Sequence, residues 1–428
     1  MVRAGVCVCA GLGERECVCL AVIEILRVKR AIWRRRGMQR AVIVSACRTP
    51  IGSFQGKLSR LPATSLGSTV IRAVLERAQL NADQVDEVIM GNVLSAGLGQ
   101  APARQAALCA GLPHKVTCTM INKVCGSGLK AVMLAAQAIM VGDAEVIVAG
   151  GMESMSNAPY LLTKARTGYR LGSGELVDSM VHDGLWDVYN QFHMGAAGEL
   201  CSRTLKISRE EQDEFAATSY QRAQRAQAEE AFRRELIAVH LPADAAGDFV
   251  SEDEEPKRVN FSKLAQLKPS FEKNGTITAG NASSISDGAA GVVLMSEEKA
   301  RHLHLEPLAK IVGQTSYGTD PAWFTTAPAK AIARLMERTG RSLQSVDLFE
   351  INEAFAVVSI AVNRELGLDP AKVNVRGGAV ALGHPIGASG ARILTTLLYA
   401  LEDLNLSCGV ASLCIGGGEA VAMMVERT

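Results

Sequence analysis

The stretch that organises this chain is TCTMINKVCGSGLK, residues 117–130. Its first half has the composition of a short strand and its second half opens an apolar helix, which leaves Cys125 at the turn between them. Gly126 and Gly128 permit tight backbone geometry and the close approach of another molecule. The first turn of a helix directs free N–H groups and partial positive charge at such a thiol, which favours the thiolate. The segment therefore predicts either a nucleophilic cysteine or a small buried hydrophobe.

The composition describes an aliphatic chain with balanced charge. Its 428 residues are 48% hydrophobic and 4% aromatic, which allows a large core and predicts two or three domains. With 45 Lys and Arg against 44 Asp and Glu, the global charge indicates neither a nucleic acid nor a membrane as partner. Eleven cysteines, widely scattered after residue 40, favour reduced thiols in a cytoplasmic compartment over a disulfide framework.

Residues 1–37 differ from the sequence that follows them. They contain four cysteines in two Cys-x-Cys pairs, an apolar run interrupted by glutamates, and a basic end. A secretory signal places its charges first, a transit peptide is poor in acids, and the cysteine spacing matches no familiar zinc finger. We expect Met38 to be the native start, and residues 1–37 to be an extension that is not native or is disordered.

From Met38 onward the patterns predict an α/β fold. The helix predicted over residues 127–141 is apolar on nearly every side, so it should be buried on all faces. The segment AEVIVAGG from Ala144 is continuously apolar, which is typical of a parallel strand covered by helices on both sides of its sheet.

An internal repeat divides the chain. LERAQLNADQVDEVIMGN at 75–92 and MERTGRSLQSVDLFEIN at 336–352 share a register at an offset of 261 residues, and an offset of 262 lays NKVCGSGLK at 122–130 onto HPIGASGAR at 384–392. Two matches at nearly one offset indicate two copies of one α/β unit.

We place the two copies at residues 38–156 and 285–428. The insert at 157–284 is rich in charge and short loops, as expected for a lid over a binding site. It ends in GTITAGNASSISDG, whose small side chains permit the close approach of a ligand to the backbone.

The second copy holds three further chemical groups. Asn352 follows an apolar strand in NEAFA, His384 lies in the glycine-rich turn GHPIG, and Cys414 precedes three glycines in CIGGG. Each also has a structural interpretation, as a loop residue, a turn residue or a core residue. If the two copies pack about a pseudo-twofold axis, however, the turns of Cys125 and His384 face each other, and all four side chains converge.

The motifs GHPIGASGAR, CIGGGEA, NEAFA and NKVCGSGLKAVMLAAQAI together resemble those of the thiolase family, in particular its biosynthetic type, over essentially residues 38–428. The resemblance implies a five-layered αβαβα core of two duplicated halves with an inserted loop domain. It also implies acetyl-CoA and acetoacetyl-CoA as substrates, no metal or redox cofactor, and a homotetramer built from tight dimers.

The resemblance further implies a ping-pong Claisen condensation that is reversible as thiolysis. Cys125, activated by His384, becomes the acyl-enzyme, and Cys414 acts as general base with a pKa tuned towards neutrality. The enolate oxygen is met by His384 and by a water held by Asn352. The tetrahedral oxyanion is met by the backbone N–H groups of Cys125 and Gly416.

Substrate-binding residues carry over by the same resemblance. Ser283 would hydrogen-bond the pantetheine, and Arg258 or Lys257 would meet the nucleotide. Phe324 stands near where relatives often have methionine, which favours short acyl chains. The other implied walls of the acyl site are Leu185, His193, Met194, Phe271 and Phe355.

Three other functions stay open at this stage. A degradative 3-ketoacyl-CoA thiolase uses the same residues and differs in acyl-chain selectivity. A ketoacyl synthase shares the nucleophilic cysteine but lacks an equivalent of Cys414, so CIGGGEA disfavours it. A non-catalytic protein that binds coenzyme A or lipid is disfavoured because all four chemical groups are present.

Overall fold

The computed structural model describes residues 38–242 and 249–428, so the prediction for residues 1–37 lies outside the described residues. The helices are α1 (Ala63–Arg77), α2 (Pro102–Cys109), α3 (Ser127–Val141), α4 (Met194–Leu205), α5 (Arg209–Ala228), α6 (Glu297–His302), α7 (Ala327–Thr339), α8 (Ala356–Leu366), α9 (Ala379–Leu382) and α10 (Ser389–Asp403). The longer strands and the short β2 are β1 (Ala41–Arg48), β2 (Gly52–Ser53), β3 (Glu87–Gly91), β4 (Thr117–Ile121), β5 (Val146–Ser154), β12 (Ser286–Ser296), β13 (Ala309–Gly318), β14 (Leu348–Ile351), β15 (Cys408–Ile415) and β16 (Glu419–Glu426). Two-residue strands in the insert are β6 (Tyr160–Leu161), β7 (Val177–Asp178), β8 (Trp186–Asp187), β9 (Phe192–His193), β10 (Val239–His240) and β11 (Phe249–Val250).

The strand order repeats the duplication found in the sequence. The first half runs β4-β3-β5-β12-β1 and the second runs β14-β15-β16-β13, and the two meet where Val42 and Ile43 pair with Lys310 and Ala309. In both halves a parallel pair is followed by antiparallel pairs: β3 with β5 then β12, and β14 with β15 then β16. Apart from β4, which has no equivalent strand in the second half, the two halves share one topology.

The layers follow from which side chains are buried together. The central helices α3 and α10 pack against each other and against the inner faces of both sheet halves. Helices α1 and α2 cover the outer face of the first half, and α7 covers that of the second. The five-layered αβαβα order is confirmed. The segment Val124–Val141 is long and apolar enough to cross a membrane, but the place of α3 between the two halves of the sheet explains this composition.

The insert interrupts a β-hairpin. Strand β5 pairs antiparallel with β12, with Ser154 opposite Asp287, and residues 157–284 lie between the two strands. In the second half the equivalent strands β15 and β16 are joined directly by Gly416–Gly418. The predicted boundary at residue 285 gave the strand at 286–296 to the second half, and its pairing with β1 and β5 corrects this. A fully buried apolar strand carries no sequence mark of its neighbours, so its partners could not be predicted from composition.

A buried cation fixes the insert to the core. Arg48, at the end of β1, is fully buried, and its guanidinium donates to both oxygens of Asp253 at 2.7 and 2.9 Å and to Glu235 at 2.5 Å. The ring of Phe232 lies 4.9 Å from the same guanidinium. Because removing one partner would leave a buried charge unpaired, this contact holds the insert in one position over the first half.

Candidate active site

The turn that carries Cys125 is a strained strand-to-helix elbow. Strand β4 ends at Ile121 and α3 begins at Ser127. Val124, between them, has φ of +45°, a conformation that costs a β-branched residue about 1–3 kcal/mol. The Ser127 hydroxyl maintains this conformation, since its oxygen accepts from the Lys123 N–H at 2.8 Å and its O–H donates to the Val124 carbonyl at 2.7 Å. Cys125 is consequently presented, half-buried, at the top of the elbow.

Glycines let the two central helices meet at their N-termini. A Cβ added to Gly128 of α3 would lie 2.8 Å from the backbone nitrogen of Ala391, and one added to Gly390 of α10 would lie 2.3 Å from that of Leu129. Gly128 and Gly390 are equivalent positions in the repeat, so the contact is symmetric about the axis between the halves. This close approach brings the turn of Cys125 next to the turn that precedes α10.

His384 lies in that second turn and is buried. Its backbone N–H donates to the Ser284 carbonyl at 3.0 Å, its Nδ1 lies 2.6 Å from the Ser389 hydroxyl, and its Nε2 lies 3.4 Å from Nδ2 of Asn352. Burial, reinforced by the nearby Arg392 cation, lowers the pKa of His384 to about 3. The imidazole is therefore neutral at physiological pH and can accept a proton.

Asn352 follows β14 and faces the same histidine. Its N–H donates to the Ser412 carbonyl at 3.0 Å, which joins β14 to β15 beyond their last paired residues. Its side-chain Oδ1 is buried and has no hydrogen-bond partner among the residues that the structure describes. An oxygen in this state can accept from a water or a substrate, which is the geometry expected of a residue that holds a water.

Two thiols lie close together at the ends of α3 and β15. Burial raises the pKa of Cys125 to about 11, although the N–H groups of Gly416 and of Cys125 itself donate to the sulfur and oppose the shift. Burial and the neighbouring Cys125 raise the pKa of Cys414 well above its ordinary value. The expectations of a thiolate at Cys125 and of a near-neutral pKa at Cys414 are therefore wrong for the free protein, because desolvation outweighs the helix terminus and the backbone donors.

The two backbone N–H groups that lower the pKa of the Cys125 thiol belong to Cys125 and Gly416, the residues for which the resemblance implies oxyanion donors. Gly416 opens the turn Gly416–Gly418, in which Gly417 and Gly418 have φ of +91° and +84°. A Cβ on Gly416 would lie 3.3 Å from the sulfur of Met194, tighter than most such contacts. The turn therefore exposes a backbone N–H at close range to the reactive sulfur without a side chain in the way.

A cavity of about 360 Å³ reaches part of this group of residues, whereas Asn352 and Cys414 are fully buried and do not line it. Cys125, His384 and Gly416 form one end. The predicted wall residues all line it: Leu185, His193, Met194, Phe271, Ser283, Phe324 and Phe355. Its walls are largely apolar, and their rings contact one another: the His193 ring stacks on Phe271 at 4.7 Å, and Phe271 meets Phe355 edge-on at 6.0 Å.

Family models match almost all of the described chain. The model of the thiolase N-terminal domain matches residues 41–298, and that of the thiolase C-terminal domain matches residues 305–427.

The chain belongs to the thiolase family.

Several thiolases resemble it over nearly their whole length. The acetyl-CoA acetyltransferase of Pseudomonas aeruginosa is 54% identical over 392 residues, which cover 91% of this chain and 100% of that protein. The crystal structure of the Bacillus anthracis acetyl-CoA acetyltransferase superposes with a TM-score of 0.90 at 43% identity, covering 92% of this chain and 100% of that one. The Acat5 thiolase of Ascaris suum, crystallised in complex with coenzyme A, superposes with a TM-score of 0.87 at 44% identity and covers 91% and 100%.

In this thiolase, Arg258 lies apart from the acyl cavity. It lines a second cavity of about 570 Å³, which shares Ala279, Ser284 and Ile285 with the first. Its guanidinium donates to Glu255 at 3.1 Å. Lys257 pairs with Glu252. Arg258 therefore does not line the cavity of Cys125, and its contact with the nucleotide stays a prediction.

Three residues of this region were not predicted. Val124 supplies the strained elbow and Ser389 holds His384. The buried carboxylate of Glu153 joins the turn before α10 to the segment after β3. Glu153 accepts from the N–H of Gly387 at 2.9 Å and from the Asn92 amide at 2.7 Å, and burial raises its pKa to about 7. The repeat could have identified Ser389, which aligns with the elbow serine, Ser127. Glu153 could have been identified because it is a carboxylate in an otherwise apolar predicted strand.

Across residues 38–242 and 249–428, no group of three or more His, Cys, Asp or Glu side chains is arranged to hold a metal ion. The residues that line the cavity offer the Cys125 thiol, the His384 imidazole and backbone N–H groups, and the Cys414 thiol and the Asn352 amide are buried next to them.

The pKa of Cys125 sets the pH dependence of its alkylation. Because the thiolate is the reactive form and the pKa is raised to about 11, the rate with iodoacetamide in the free protein should rise about tenfold per pH unit between pH 7 and 10. The rate is obtained from intact-protein mass, with the background of a Cys125→Ala variant subtracted. A plateau at neutral pH would show that the thiol is already ionised, contrary to the raised pKa.

Proposed function

We propose that this thiolase is an acetyl-CoA C-acetyltransferase, which condenses two molecules of acetyl-CoA to acetoacetyl-CoA and coenzyme A and also catalyses the reverse thiolysis. The observation that carries the proposal is the convergence of Cys125, His384 and the Gly416 N–H on one cavity, with Cys414 buried beside Cys125. The acetyl-CoA acetyltransferases of Pseudomonas aeruginosa and Bacillus anthracis support the same activity.

In the first half-reaction Cys125 becomes the acyl-enzyme. Its sulfur attacks the acetyl carbonyl, its proton passes to Nε2 of His384, and the bond between the acetyl carbon and coenzyme A sulfur breaks. The N–H groups of Cys125 and Gly416, which already converge on the sulfur, donate to the tetrahedral oxyanion. Cys414, protonated at rest because of its raised pKa, gives its proton to the departing coenzyme A thiolate.

After the first half-reaction, His384 holds an additional proton and Cys414 has lost its own. Cys414 is now a thiolate and removes a proton from the methyl group of a second acetyl-CoA. The enolate oxygen accepts from the proton retained on Nε2 of His384 and from a water held by Asn352. The carbanion attacks the acyl carbon, the acyl bond to Cys125 breaks, and Cys125 recovers its proton from His384. Both thiols then carry their protons again, so the cycle is balanced.

The substrates supply the coenzyme A thioester, so the proposed reaction needs no metal or redox cofactor. The cavity with Cys125 would hold the acyl group and the pantetheine, near Ser283. The Ser283 hydroxyl donates to the Ala354 carbonyl at 2.8 Å, and its oxygen can accept from a ligand. The neighbouring cavity with Arg258 would take the nucleotide. The coenzyme A complex of the Ascaris suum thiolase supports this class of ligand.

We also propose that the protein is a cytoplasmic homotetramer, assembled as a dimer of dimers. Strand β4 forms an edge of the sheet, which a second copy could extend. The insert exposes large apolar side chains between residues 160 and 189, including a fully exposed Leu171, and such surface is typical of a contact between subunits. The seven described cysteines are free, as in a reducing compartment. Light scattering of the purified protein measures the subunit count.

Substrate length separates the proposed activity from that of a degradative thiolase. Phe324 is only 3% exposed and closes the cavity, so steady-state thiolysis of acetoacetyl-CoA should exceed that of a six-carbon or longer 3-ketoacyl-CoA by about tenfold or more in kcat/KM. A Phe324→Ala variant should reduce this preference by a similar factor. Phe249→Ala, at an exposed phenylalanine outside the cavity, should leave the preference unchanged.

The same assay decides between the remaining functions. Equal or faster cleavage of the long substrate by the native protein would favour the degradative activity. Folded protein that neither cleaves acetoacetyl-CoA nor condenses acetyl-CoA would contradict the proposed function and favour a binding role.

A further inference from the structure

The proposed mechanism requires a neutral His384 whose hydrogen is on Nδ1, and a buried serine is placed to select this tautomer. Ser389 is the first residue of α10 and is 1% exposed. Its hydroxyl oxygen lies 2.6 Å from Nδ1 of His384 and 3.0 Å from the Pro385 carbonyl oxygen, which can only accept. A hydroxyl that donates to a carbonyl offers the histidine a lone pair. When the hydroxyl donates to this carbonyl, Nδ1 is the ring nitrogen that carries the hydrogen.

The other side of the ring agrees with this assignment. Nε2 lies 3.4 Å from the amide nitrogen of Asn352, a group that can only donate. With Nδ1 protonated and Nε2 unprotonated, the free lone pair of the imidazole faces Asn352 and the cavity, where it can take the proton of Cys125. A ring with the opposite tautomer would present a donor to a donor at Asn352 and would have no base at Nε2.

The repeat gives an independent reason to single out this serine. Ser389 occupies the position of Ser127 at the offset of 262 residues. Ser127 fixes the elbow of Cys125 through the Lys123 N–H and the Val124 carbonyl. In each half, then, the first serine of the central helix reaches back to the turn before it, and that turn carries a reactive group.

We propose that Ser389 is a positioning residue which holds His384 in the Nδ1-protonated tautomer and orients Nε2 as the base for Cys125. A hydroxyl suits this role in a cavity without counter-charge. It accepts the Nδ1 hydrogen in both the neutral ring and the transient imidazolium, and it adds no negative charge that would stabilise the imidazolium at rest. The inference rests on the proposed function, because it assigns a role within that reaction.

A matched pair of variants separates positioning from simple structural support. Ser389→Ala removes the contact with His384. Thr395→Val removes another buried hydroxyl of α10, which donates to the Ala391 carbonyl at 2.9 Å and does not touch the histidine. Both hydroxyls bond the carbonyl four residues earlier, so any effect of losing that bond is common to the two variants.

The readout is the rate of acetylation of Cys125 in a single turnover with acetyl-CoA, together with kcat and KM for thiolysis of acetoacetyl-CoA. Ser389→Ala should lower the acetylation rate and kcat by about tenfold to hundredfold, as expected for one lost hydrogen bond at a buried catalytic group, with little change in KM. Thr395→Val should stay within about threefold of the native protein. Equal rates in the two variants would overturn the proposal.

A measurement on the unmodified protein covers the case in which Ser389→Ala does not fold. A neutron crystal structure of the native, ligand-free protein should show a deuteron on Nδ1 of His384 and none on Nε2. A deuteron on Nε2 alone would overturn the proposal even with a fully active enzyme. Inactivity of the native protein towards both acetyl-CoA and acetoacetyl-CoA would instead contradict the proposed function, so the two failures are distinguishable.

Discussion

A Cys125→Ala variant is expected to form no acyl-enzyme and to lose turnover by roughly a thousandfold or more. The sulfur of Cys125 lies at the end of the cavity and accepts from the N–H groups of Gly416 and of its own backbone. No hydroxyl or amine can replace it as a nucleophile without losing the thioester that the second half-reaction cleaves. Native protein incubated with acetyl-CoA should gain the mass of one acetyl group per chain, and the variant should gain none.

Cys118→Ala provides the control for this experiment. Cys118 is a half-buried thiol on β4, the strand that leads into the elbow, and its sulfur contacts the Val116 carbonyl outside the cavity. This variant should acetylate at the native rate. Peptide mapping of the native protein should place the label on Cys125. A label on Cys414 would reverse the roles given to the two thiols.

The fold could be predicted because the sequence contains two copies of one α/β unit. The offsets of 261 and 262 residues predicted two equivalent halves, and the central helix predicted at 127–141 has those bounds in the structure. What could not be predicted is the partner of a strand such as β12, which is apolar on both faces. The insert separates β12 from its hairpin partner β5 by more than a hundred residues of chain, so no local pattern connects them.

The residues around the candidate site were accessible to sequence reasoning, but their ionisation was not. The sequence alone identifies the glycines, the cysteine at a strand-to-helix turn and the histidine in GHPIG. The pKa of Cys125 depends on how much water the two halves exclude when α3 and α10 meet, and this is a property of the packed structure. For the same reason the sequence suggested a thiolate where burial keeps the thiol protonated. Ser389 was visible as a repeat position, but its bond to His384 required coordinates.

A Cys414→Ala variant should separate the two half-reactions. Its condensation and thiolysis rates are expected to fall by about 10²–10⁴, the contribution of one general acid–base group. Acetylation of Cys125 should continue, because the nucleophile, His384 and the oxyanion donors are intact. The departing coenzyme A thiolate must then find its proton in solvent, so acetylation should slow to a smaller extent than condensation. The two rates are measured by intact-protein mass and by formation of acetoacetyl-CoA.

Cys201→Ala is the matched control for that loss. Cys201 is a fully buried thiol of α4 in the same apolar cluster as Cys414, so its truncation removes the same atoms from the same core without removing the proposed base. If both variants lose condensation equally, the effect is one of packing and Cys414 is not the base. If Cys414→Ala also fails to acetylate, the sulfur of Cys414 is needed in the first half-reaction beyond the donation of one proton. Persistence of the acetyl-enzyme in Cys414→Ala, alongside native turnover in Cys201→Ala, is the result that assigns to Cys414 the proton of the second acetyl-CoA.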